Sequence, residues 1–377
     1  MTQKIAFIRK GTVPLASQSV AEVLQQHFPD CTVDIIDLKE MLSHRPDITL
    51  INSFHTLREY GVEIGRGRKN AKECFFRTPY LFRTVKTLMA QKLSDPDYLF
   101  SFQMQSLFDA STTTLPHFVY TDHTNLANIA YPSQDHHKLY SPAWIALERT
   151  IYQNASLVFT RSSDITRSLV EQYQCNPGKV RCVYAGSNVP RQDDPPDNDG
   201  YRNKHILFVG IDWERKGGPE LLEAFRQVLT VHPDAHLTIV GCSPQVNLPN
   251  CHVLGRLPLT ELKTHYRQAS IFCLPTKLEP FGIVFIEALS YHLPIVATCI
   301  GAIPDFVRDG ENGYLVEPGA TQSLAEALIK LLDDPEQCQH FGNKGRLMAE
   351  ENYNWDNVGL RMKEGIRAAL AARKSVV

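Results

Sequence analysis

The sequence predicts an α/β protein with two domains, each built around a parallel sheet. Short apolar runs alternate with amphipathic segments along most of the chain, which is typical of successive strand–helix–strand units. Residues 189–203 interrupt this alternation with a proline-rich, acidic segment that has almost no apolar side chain, as expected of a linker. We therefore expect an N-terminal domain at 1–188, a linker at 189–203, a second domain at 204–355 and a closing helix at 356–377, with Asp356 as its N-cap.

The strands predicted for the N-terminal domain are apolar and are separated by helix-like segments. They cover 4–8, 32–37, 48–53, 100–106, 116–120, 155–160 and 180–184, and a first helix covers 17–28. The loop after the first strand contains one glycine, Gly11, where a dinucleotide-binding motif would show G-x-G-x-x-G. An oxidoreductase that binds NAD is therefore disfavoured.

A histidine follows the predicted strand at 116–120. This residue is His123, within Thr-Asp-His-Thr-Asn at 121–125. The carboxyl end of a parallel strand faces the ligand crevice of such a sheet. A lone histidine is more often structural, but this position makes His123 a candidate site residue.

A basic and aromatic stretch lies at 58–92. It has nine basic residues against three acidic ones, a net charge of +6, in a chain whose net charge is −2. The interleaved apolar residues are Phe75, Phe76, Tyr80, Leu81 and Phe82. Two interpretations stay open: contact with an anionic membrane or an anionic acceptor, and a solvated helix whose aromatic side chains pack inward.

The strands predicted for the second domain cover 205–209, 237–241, 251–255, 271–275 and 294–298. Arg215 and Lys216 follow the first of these strands, and Gly217-Gly218-Pro219 comes next, at the start of an amphipathic helix. Glycines permit close approach of two backbones, and proline suits the first helical position. Two cations at a strand end and helix start are suited to hold a diphosphate.

Two carboxylates flank the start of another predicted helix, at 282–291, which connects two parallel strands. Glu279 lies just before this helix and Glu287 in its second turn. The first amides of a helix have no intrahelical partner and lie at the positive end of its dipole, which suits a phosphate or a sugar hydroxyl. Here they belong to Phe281, Gly282, Ile283 and Val284. We expect Glu279 to face the sugar of a ligand and Glu287 to face a ribose.

These motifs resemble the nucleotide-sugar site of the retaining glycosyltransferases of family 4, which have the GT-B fold. The resemblance rests on Glu279-x7-Glu287 within EPFGIVFIEAL, on GAIPDFV at 301–307 and on DGENGYLVEPG at 309–319. It is strongest from about 205 to 360. It implies an α/β, GT-B protein in which two Rossmann-like domains face a cleft, with the donor bound by the second domain and the acceptor mainly by the first.

The resemblance also implies roles for single residues. Lys216 matches the lysine of an R/K-K-G motif that holds the donor diphosphate. Arg215 would supply a second positive charge, because Ile211 stands where similar enzymes usually have an arginine. His123 matches the histidine that contacts the donor sugar and helps to align the acceptor.

The implied function is a hexosyltransferase that moves a sugar from UDP or GDP to an acceptor hydroxyl, with retained configuration. The acceptor would be a sugar, a polysaccharide or a lipid-linked sugar. Arg256 lies where similar enzymes receive the nucleotide base, and Gly11 lies in the loop that meets the donor sugar and acceptor. No cofactor and no metal are expected; Asp197-Asn198-Asp199 imitates a metal-binding DxD but does not end a strand. Two alternatives stay open: a nucleotide-sugar epimerase of the same architecture, and a non-catalytic partner subunit.

The composition argues against several other classes of protein. The net charge of −2 gives no bulk attraction to nucleic acid. The nine cysteines include no CxxC pair, and we expect reduced core residues of a cytoplasmic protein. No apolar run approaches the roughly 18 residues of a membrane span, so we expect neither a span nor a signal peptide. Peripheral contact with the inner membrane face through 58–92 is compatible with this expectation.

Overall fold

The computed structural model of the protein describes residues 3–11, 16–131, 139–187 and 200–374. They form two compact units. The first unit contains the described residues of Met1–Ala130, Gln134–Ala185 and Trp355–Val377, and the second contains those of Tyr131–Ser133 and Gly186–Asn354. Within these ranges, no helix is both long enough and apolar enough to cross a membrane. Of the predicted linker only 200–203 is described, as a turn of 3-10 helix.

The first unit is built around a parallel sheet. Its strands are β1 (Gln3–Arg9), β2 (Cys31–Asp37), β3 (Tyr98–Met104), β4 (His117–Thr121), β5 (Leu157–Thr160) and β6 (Val180–Cys182). Its helices are α1 (Ala16–His27), α2 (Leu38–Ser43), α3 (Pro46–Gly65), α4 (Ala71–Phe75), α5 (Pro79–Lys92), α6 (Pro142–Asn154), α7 (Ser163–Glu171) and α14 (Trp355–Lys374). The strand order is β2-β1-β3-β4-β5-β6. Since β2 lies on one side of β1 and β3 on the other, the sheet has its topological switch point between β1 and β3.

The helix α14 completes the core of the first unit. Its Val358, Met362 and Ile366 recur every four residues, and all three are buried against β1, β3, β5 and the apolar face of α1. The predicted N-cap is wrong, because the helix already begins at Trp355 and Asp356 lies in its first turn. There the carboxylate still interacts favourably with the helix dipole.

The predicted strand at 48–53 is wrong, since these residues belong to α3. Pro46 occupies the first helical position. The residues Ile48, Asn52, Thr56 and Tyr60, at helical spacing, are the ones that face the protein. The apolar run resembled a buried strand because Leu50 and Ile51 are apolar as well, yet both are exposed on the outer face of this helix.

The aromatic residues of 58–92 pack inward for the most part. Leu81 and Phe82 are buried, and Phe75, Phe76 and Tyr80 are half-buried against the core beside α5. Of the two interpretations of this stretch, the inward-packing helix is therefore the one that the structure favours for its aromatic side chains.

The second unit is built around another parallel sheet. Its strands are β7 (His205–Val209), β8 (His236–Val240), β9 (Cys251–Gly255), β10 (Ile271–Leu274), β11 (Ile295–Thr298) and β12 (Gly313–Val316). Its helices are α8 (Gly218–Val231), α9 (Leu259–Gln268), α10 (Ile283–Ser290), α11 (Ile303–Phe306), α12 (Thr321–Asp333) and α13 (Pro335–Asn352). The strand order β12-β11-β10-β7-β8-β9 places the topological switch point between β7 and β10. The loops that follow β7 and β10 therefore border the crevice where such sheets bind ligands.

All nine cysteines lie within the described residues, and none of them forms a disulfide bond. Five of them are buried, at 31, 74, 175, 273 and 338, as expected of core residues. The expectation is wrong for Cys299, which is exposed just after β11 because the strand ends at Thr298.

Candidate active site

The loops after β7 and β10 are joined by hydrogen bonds. Both loops lie at the carboxyl end of the sheet, because β7 and β10 pair in parallel. The Lys277 amide donates to the Arg215 carbonyl at 2.8 Å, and the Thr276 hydroxyl donates to the same oxygen at 3.1 Å. The two predicted site segments, near 215 and near 279, therefore form one continuous surface of the second unit.

Lys216 and Glu279 form a buried ion pair on this surface. The Lys216 ammonium donates to Glu279 Oε2, and the two residues are only 8% and 6% exposed. The Glu279 carbonyl accepts from the amide of Ala302, which follows β11, at 3.3 Å. The structure thus brings two sequence-predicted residues, 63 positions apart, into direct contact at the switch point.

Gly217 allows this contact. It has a positive φ of 76°, and a Cβ atom at this position would overlap the carbonyl oxygen of Pro275 at the end of β10. Any side chain would push the Lys216 loop away from the Glu279 loop. The predicted close approach of two backbones is confirmed here.

Arg215 is held between the two loops. Its Nε lies 3.2 Å from the Asp212 carboxylate, and its NH1 donates to the Leu278 carbonyl at 2.8 Å. Ile211, which stands where similar enzymes have an arginine, is exposed. Arg215 therefore adds positive charge beside the Lys216–Glu279 pair, although Asp212 partly neutralises it.

The start of α10 presents amides without partners. Gly282 caps the helix, and no described residue accepts a hydrogen bond from the amides of Ile283 or Val284. The Phe281 ring is buried edge-to-face against Phe306, so this residue anchors the turn by packing. The helix begins one residue later than predicted, but its first amides retain the predicted place beside Glu279.

Glu287 is buried, and a tyrosine that the sequence did not indicate holds it. The Tyr266 hydroxyl donates to Glu287 Oε2 at 3.0 Å, and the Tyr266 ring stacks on Tyr291 with centroids 5.1 Å apart. Burial raises the pKa of Glu287 to about 7. No described residue hydrogen-bonds to Oε1, so one carboxyl oxygen is fixed while the other is available to a ligand. A tyrosine on the polar helix α9 gives no sequence signal of this contact.

Arg256 lies apart from these residues. It follows β9, the edge strand, whereas β8 separates β9 from β7 in the sheet. Its side chain is exposed. The structure therefore places Arg256 at the same carboxyl edge but does not bring it into contact with Lys216 or Glu279.

In the first unit, His123 follows β4 on a loop that is fastened at several points. Its carbonyl accepts from the hydroxyls of Thr121 at 2.9 Å and Ser106 at 3.2 Å. Burial lowers the pKa of His123, the Asp122 carboxylate opposes this change, and Arg77 lowers the pKa further. Its Nδ1 atom is buried and has no hydrogen-bond partner within the described residues.

A second buried carboxylate, Glu148 on α6, holds the same loop. It accepts from the Asn125 amide at 3.1 Å and from the hydroxyls of Tyr152 and Tyr173. Burial raises the pKa of Glu148 to about 7. This group was missed in the sequence, because a glutamate inside an amphipathic helix pattern normally faces water.

Gly11 follows β1 with a φ of 79°, and its amide is already bonded to the Asp37 carboxylate at 3.0 Å. The Gly11 amide is therefore not available to bind the sugar donor in this arrangement.

Among the described residues, no group of three or more histidine, cysteine, aspartate or glutamate side chains is placed to hold a metal ion together. The Asp197-Asn198-Asp199 segment lies outside the described residues.

Two family models match adjacent parts of the chain. Residues 30–191 match the model described as Glycosyltransferase Family 4, and residues 192–348 match the model described as Glycosyl transferases group 1. Among curated relatives, a D-inositol 3-phosphate glycosyltransferase of Corynebacterium aurimucosum is 29% identical over 50% of this chain and 51% of its own. A GDP-mannose-dependent monoacylated alpha-(1-6)-phosphatidylinositol monomannoside mannosyltransferase of Corynebacterium glutamicum is 32% identical over 39% of this chain and 43% of its own. The chain spans about half the length of the curated relatives it matches.

Solved structures agree on the fold. Sucrose-phosphate synthase from Thermosynechococcus elongatus superposes with a TM-score of 0.66 at 17% identity, covering 98% of this chain and 100% of that one. Anabaena HepE, in complex with UDP and glucose, gives 0.64 at 15% identity, covering 97% and 99%. At these low identities the superpositions show the fold alone, and that fold is GT-B. With both halves matched by glycosyltransferase models, the chain belongs to the family 4 glycosyltransferases of the GT-B fold.

Proposed function

We propose that this protein transfers a sugar from a nucleoside diphosphate to an acceptor hydroxyl with retained anomeric configuration, and that it needs no metal. The observation that carries this proposal is the buried Lys216–Glu279 pair at the topological switch point of the second unit. A crevice of this kind, lined by a buried cation and the free amides of a helix start, is suited to a diphosphate.

Departure of the nucleoside diphosphate concentrates negative charge on the β-phosphate. Lys216, Arg215 and the amides of α10 supply fixed positive potential for that charge, which is the role a metal has in other transferases. The Lys216 ammonium has three protons and donates one to Glu279, so it retains donors for a phosphate. Glu279 would face the donor sugar, and His123 of the first unit would orient the reacting groups.

The transfer step is a front-face displacement. The bond between the anomeric carbon and the β-phosphate oxygen breaks, the acceptor oxygen bonds to the same face of that carbon, and the leaving phosphate takes the acceptor proton. No side chain is needed as nucleophile in this scheme. The donor is a UDP- or GDP-sugar, and a GDP-mannose-dependent relative supports the second choice.

The proposal is tested by slow donor hydrolysis, which needs no acceptor. A thermal-shift screen of UDP- and GDP-sugars first identifies the donor, because ligand at about 100 times its Kd adds roughly 2.7 kcal/mol of stability. The released sugar is then followed by NMR in the presence of EDTA. We expect the anomer of the donor to appear first; the opposite anomer, or strict dependence on magnesium or manganese, would contradict the proposal. Conversion of the nucleotide sugar into its epimer would instead support the alternative that the protein is an epimerase.

We expect the nucleotide affinity to depend on pH through Glu287. Its carboxylate form is the better acceptor for ribose hydroxyls, and with a pKa of about 7 that form is lost as the pH falls through neutrality. Glu287→Gln should weaken binding by about ten-fold or more, since a bond to a charged group contributes roughly 1.5 to 3 kcal/mol. Binding to the variant should be nearly constant from pH 6 to 8 in calorimetric titrations.

Deoxyribose donors provide the control for this expectation. If Glu287 binds the ribose, a 2′-deoxy or 3′-deoxy donor loses less affinity in Glu287→Gln than in the wild type. Equal losses in both proteins would show that the carboxylate does not contact the ribose. Tyr266→Phe should shift the pH dependence without removing it, because the Tyr266 hydroxyl is the donor to Glu287.

The acceptor is proposed to be bound at an anionic membrane surface. On α3, Leu50, Phe54 and Leu57 recur at helical spacing, and all three side chains are exposed. The exposed Arg58, Arg66 and Arg68 follow on the same segment. Glu63 neutralises part of this charge, because it pairs with Arg66 at 4.0 Å and with Arg68 at 3.6 Å. Apolar side chains flanked by cations are typical of helices that lie in a membrane interface. A relative named for a phosphatidylinositol acceptor supports a lipid acceptor.

Vesicle co-sedimentation tests this surface. We expect binding to phosphatidylglycerol vesicles at low salt and weaker binding at high salt, because each basic residue near such a membrane contributes about 1 kcal/mol. Phe54→Ser should weaken binding by about ten-fold, since burying such a side chain contributes roughly 1.5 to 3 kcal/mol. Leu347→Ser is the matched control, because Leu347 on α13 is 59% exposed and Phe54 is 65% exposed. Equal effects of the two substitutions would argue against α3 as the contact.

A further inference from the structure

Lys10 occupies the topological switch point of the first unit. It follows β1 directly, at the carboxyl end of the sheet, where β1 pairs with β2 on one side and β3 on the other. Its side chain is half-buried, and its ammonium lies 4.1 Å from the centroid of the Phe76 ring. No carboxylate of the described residues lies within ion-pair distance of it. A partly desolvated cation without an anionic partner is costly.

Two further cations border Lys10. The Lys39 ammonium lies beside Gly11, and a Cβ atom built on Gly11 would be 3.3 Å from it. Arg77 lies 4.3 Å above the Tyr140 ring and donates to the Glu73 carbonyl at 3.0 Å. Neither side chain forms an ion pair with a carboxylate of the described residues. We call Lys10, Lys39 and Arg77 the Lys10 cluster.

The nearby carboxylates are already in use. Asp37 lies 3.3 Å from Arg9 and accepts the amides of Gly11 and Lys39. Glu73 accepts the Tyr140 hydroxyl at 3.0 Å, and it attracts Lys10 only weakly. The Lys10 cluster therefore retains an excess of positive charge at a strand-end crevice.

Electrostatics within the cluster show this excess. Burial, together with the charges of Arg77 and Lys39, lowers the pKa of Lys10 to about 8. Arg77 also lowers the pKa of His123, so the positive field of the cluster extends to the candidate site residue of the same unit. A bound anion would relieve both effects.

We propose that the Lys10 cluster binds a phosphate group carried by the acceptor. The three cations come from three segments: the end of β1, the start of α2 and the turn before α5. A phosphate, with up to two negative charges and three acceptor oxygens, can meet all three, and the guanidinium fork of Arg77 suits it. The inference rests on the proposed transferase function, since it names the chemistry of the acceptor in that reaction.

Calorimetric titration with inorganic phosphate, at constant low ionic strength, tests the cluster. Phosphate also resembles part of a donor diphosphate, so Lys216→Gln is included to remove binding at the second unit. We expect Lys216→Gln to retain a binding component that Lys10→Met and Arg77→Gln each weaken by about ten-fold. Lys72→Met, at an exposed position of α4, is the control for net charge and should leave that component unchanged.

Two results would overturn the inference: no phosphate binding to the wild-type protein, or binding that disappears in Lys216→Gln and is unchanged in Lys10→Met. The second result would support the donor site while rejecting the acceptor site, so the two proposals fail separately. Thermal unfolding supplies a further readout. Lys10→Met should raise Tm by a few degrees without phosphate, because it removes an unpaired charge; a clear fall in Tm would show that Lys10 is structural.

The source of the phosphate is distinguished by two probes. Binding of glycerol 3-phosphate that is lost in Lys10→Met indicates a soluble phosphate ester. Binding only to phosphatidylglycerol vesicles, again lost in Lys10→Met, indicates a lipid headgroup. Either pattern supports the cluster as a phosphate site. If Lys10→Met changes neither the binding of glycerol 3-phosphate nor the binding to vesicles, the inference is contradicted, even when vesicle binding is lost in Phe54→Ser.

Discussion

Lys216→Ala is expected to lower kcat by about 100-fold or more. Removing one donor to the charge that develops in a transition state typically costs roughly 3 to 4 kcal/mol. The substitution also leaves Glu279 buried without its counter-ion, and breaking a buried pair destabilises the fold by roughly 3 to 5 kcal/mol. We therefore expect lower activity together with a lower Tm.

Lys216→Gln separates these two effects. The glutamine amide can still donate to Glu279, so the loss of stability should be small while the loss of positive charge is complete. Lys277→Gln is the matched control, because Lys277 lies in the neighbouring loop and pairs with Glu220 at 2.7 Å. Initial rates and unfolding curves of Lys216→Ala, Lys216→Gln and Lys277→Gln separate the loss of activity from the loss of stability. Full activity in a folded Lys216→Gln protein would show that Lys216 does not belong to the diphosphate site.

Gly217→Ala is expected to destabilise the second unit strongly and to abolish donor binding. An alanine with positive φ costs roughly 1 to 2 kcal/mol, and forcing a methyl group into a filled space costs roughly 1 to 3 kcal/mol more. The methyl group would overlap the Pro275 carbonyl, so the Lys216 loop has to move away from the Glu279 loop. Chemical denaturation measures the cost, and nucleotide titration measures the effect on the site.

Gly319→Ala isolates the contribution of the overlap. Gly319 has a φ of 81°, close to the 76° of Gly217, but a Cβ there would meet no heavy atom within 4 Å. Its substitution should cost only the conformational part, about 1 kcal/mol. If both substitutions cost the same, the close approach of the two loops is not what requires a glycine at position 217.

The sequence predicts β7 to β11 and α10 closely because their patterns are local, whereas β12 is missing from the predicted strands. The residues of β7, β10 and α10 follow apolar periodicities that hold within each segment, and Glu279 and Lys216 were placed at strand ends for that reason. Their direct contact depends on β10 pairing with β7, which no local pattern encodes. The same limit applies to Tyr266, whose contact with Glu287 depends on how α9 packs.

The first unit was harder to predict for two physical reasons. The stretch at 48–53 has apolar residues on both faces of α3, and these residues hide the helical period of the sequence. The apolar side chains on the exposed face are more typical of a surface that binds a partner than of a protein core. Glu148 and the Lys10 cluster are charges whose surroundings come from distant segments. Groups of this kind break the rule that charges face water, and they are found only when packing is known.

The contribution of α14 to the first unit sets an order of events during synthesis. The ribosome releases β1 to β6 first, but Val358, Met362 and Ile366 emerge only after the whole second unit has been made. Domains usually fold as they emerge, with the N-terminal one first. Here the second unit can complete its core earlier, while the first must wait with an apolar face uncovered. The apolar face that α14 covers therefore stays exposed on the nascent chain until Trp355–Lys374 has been made.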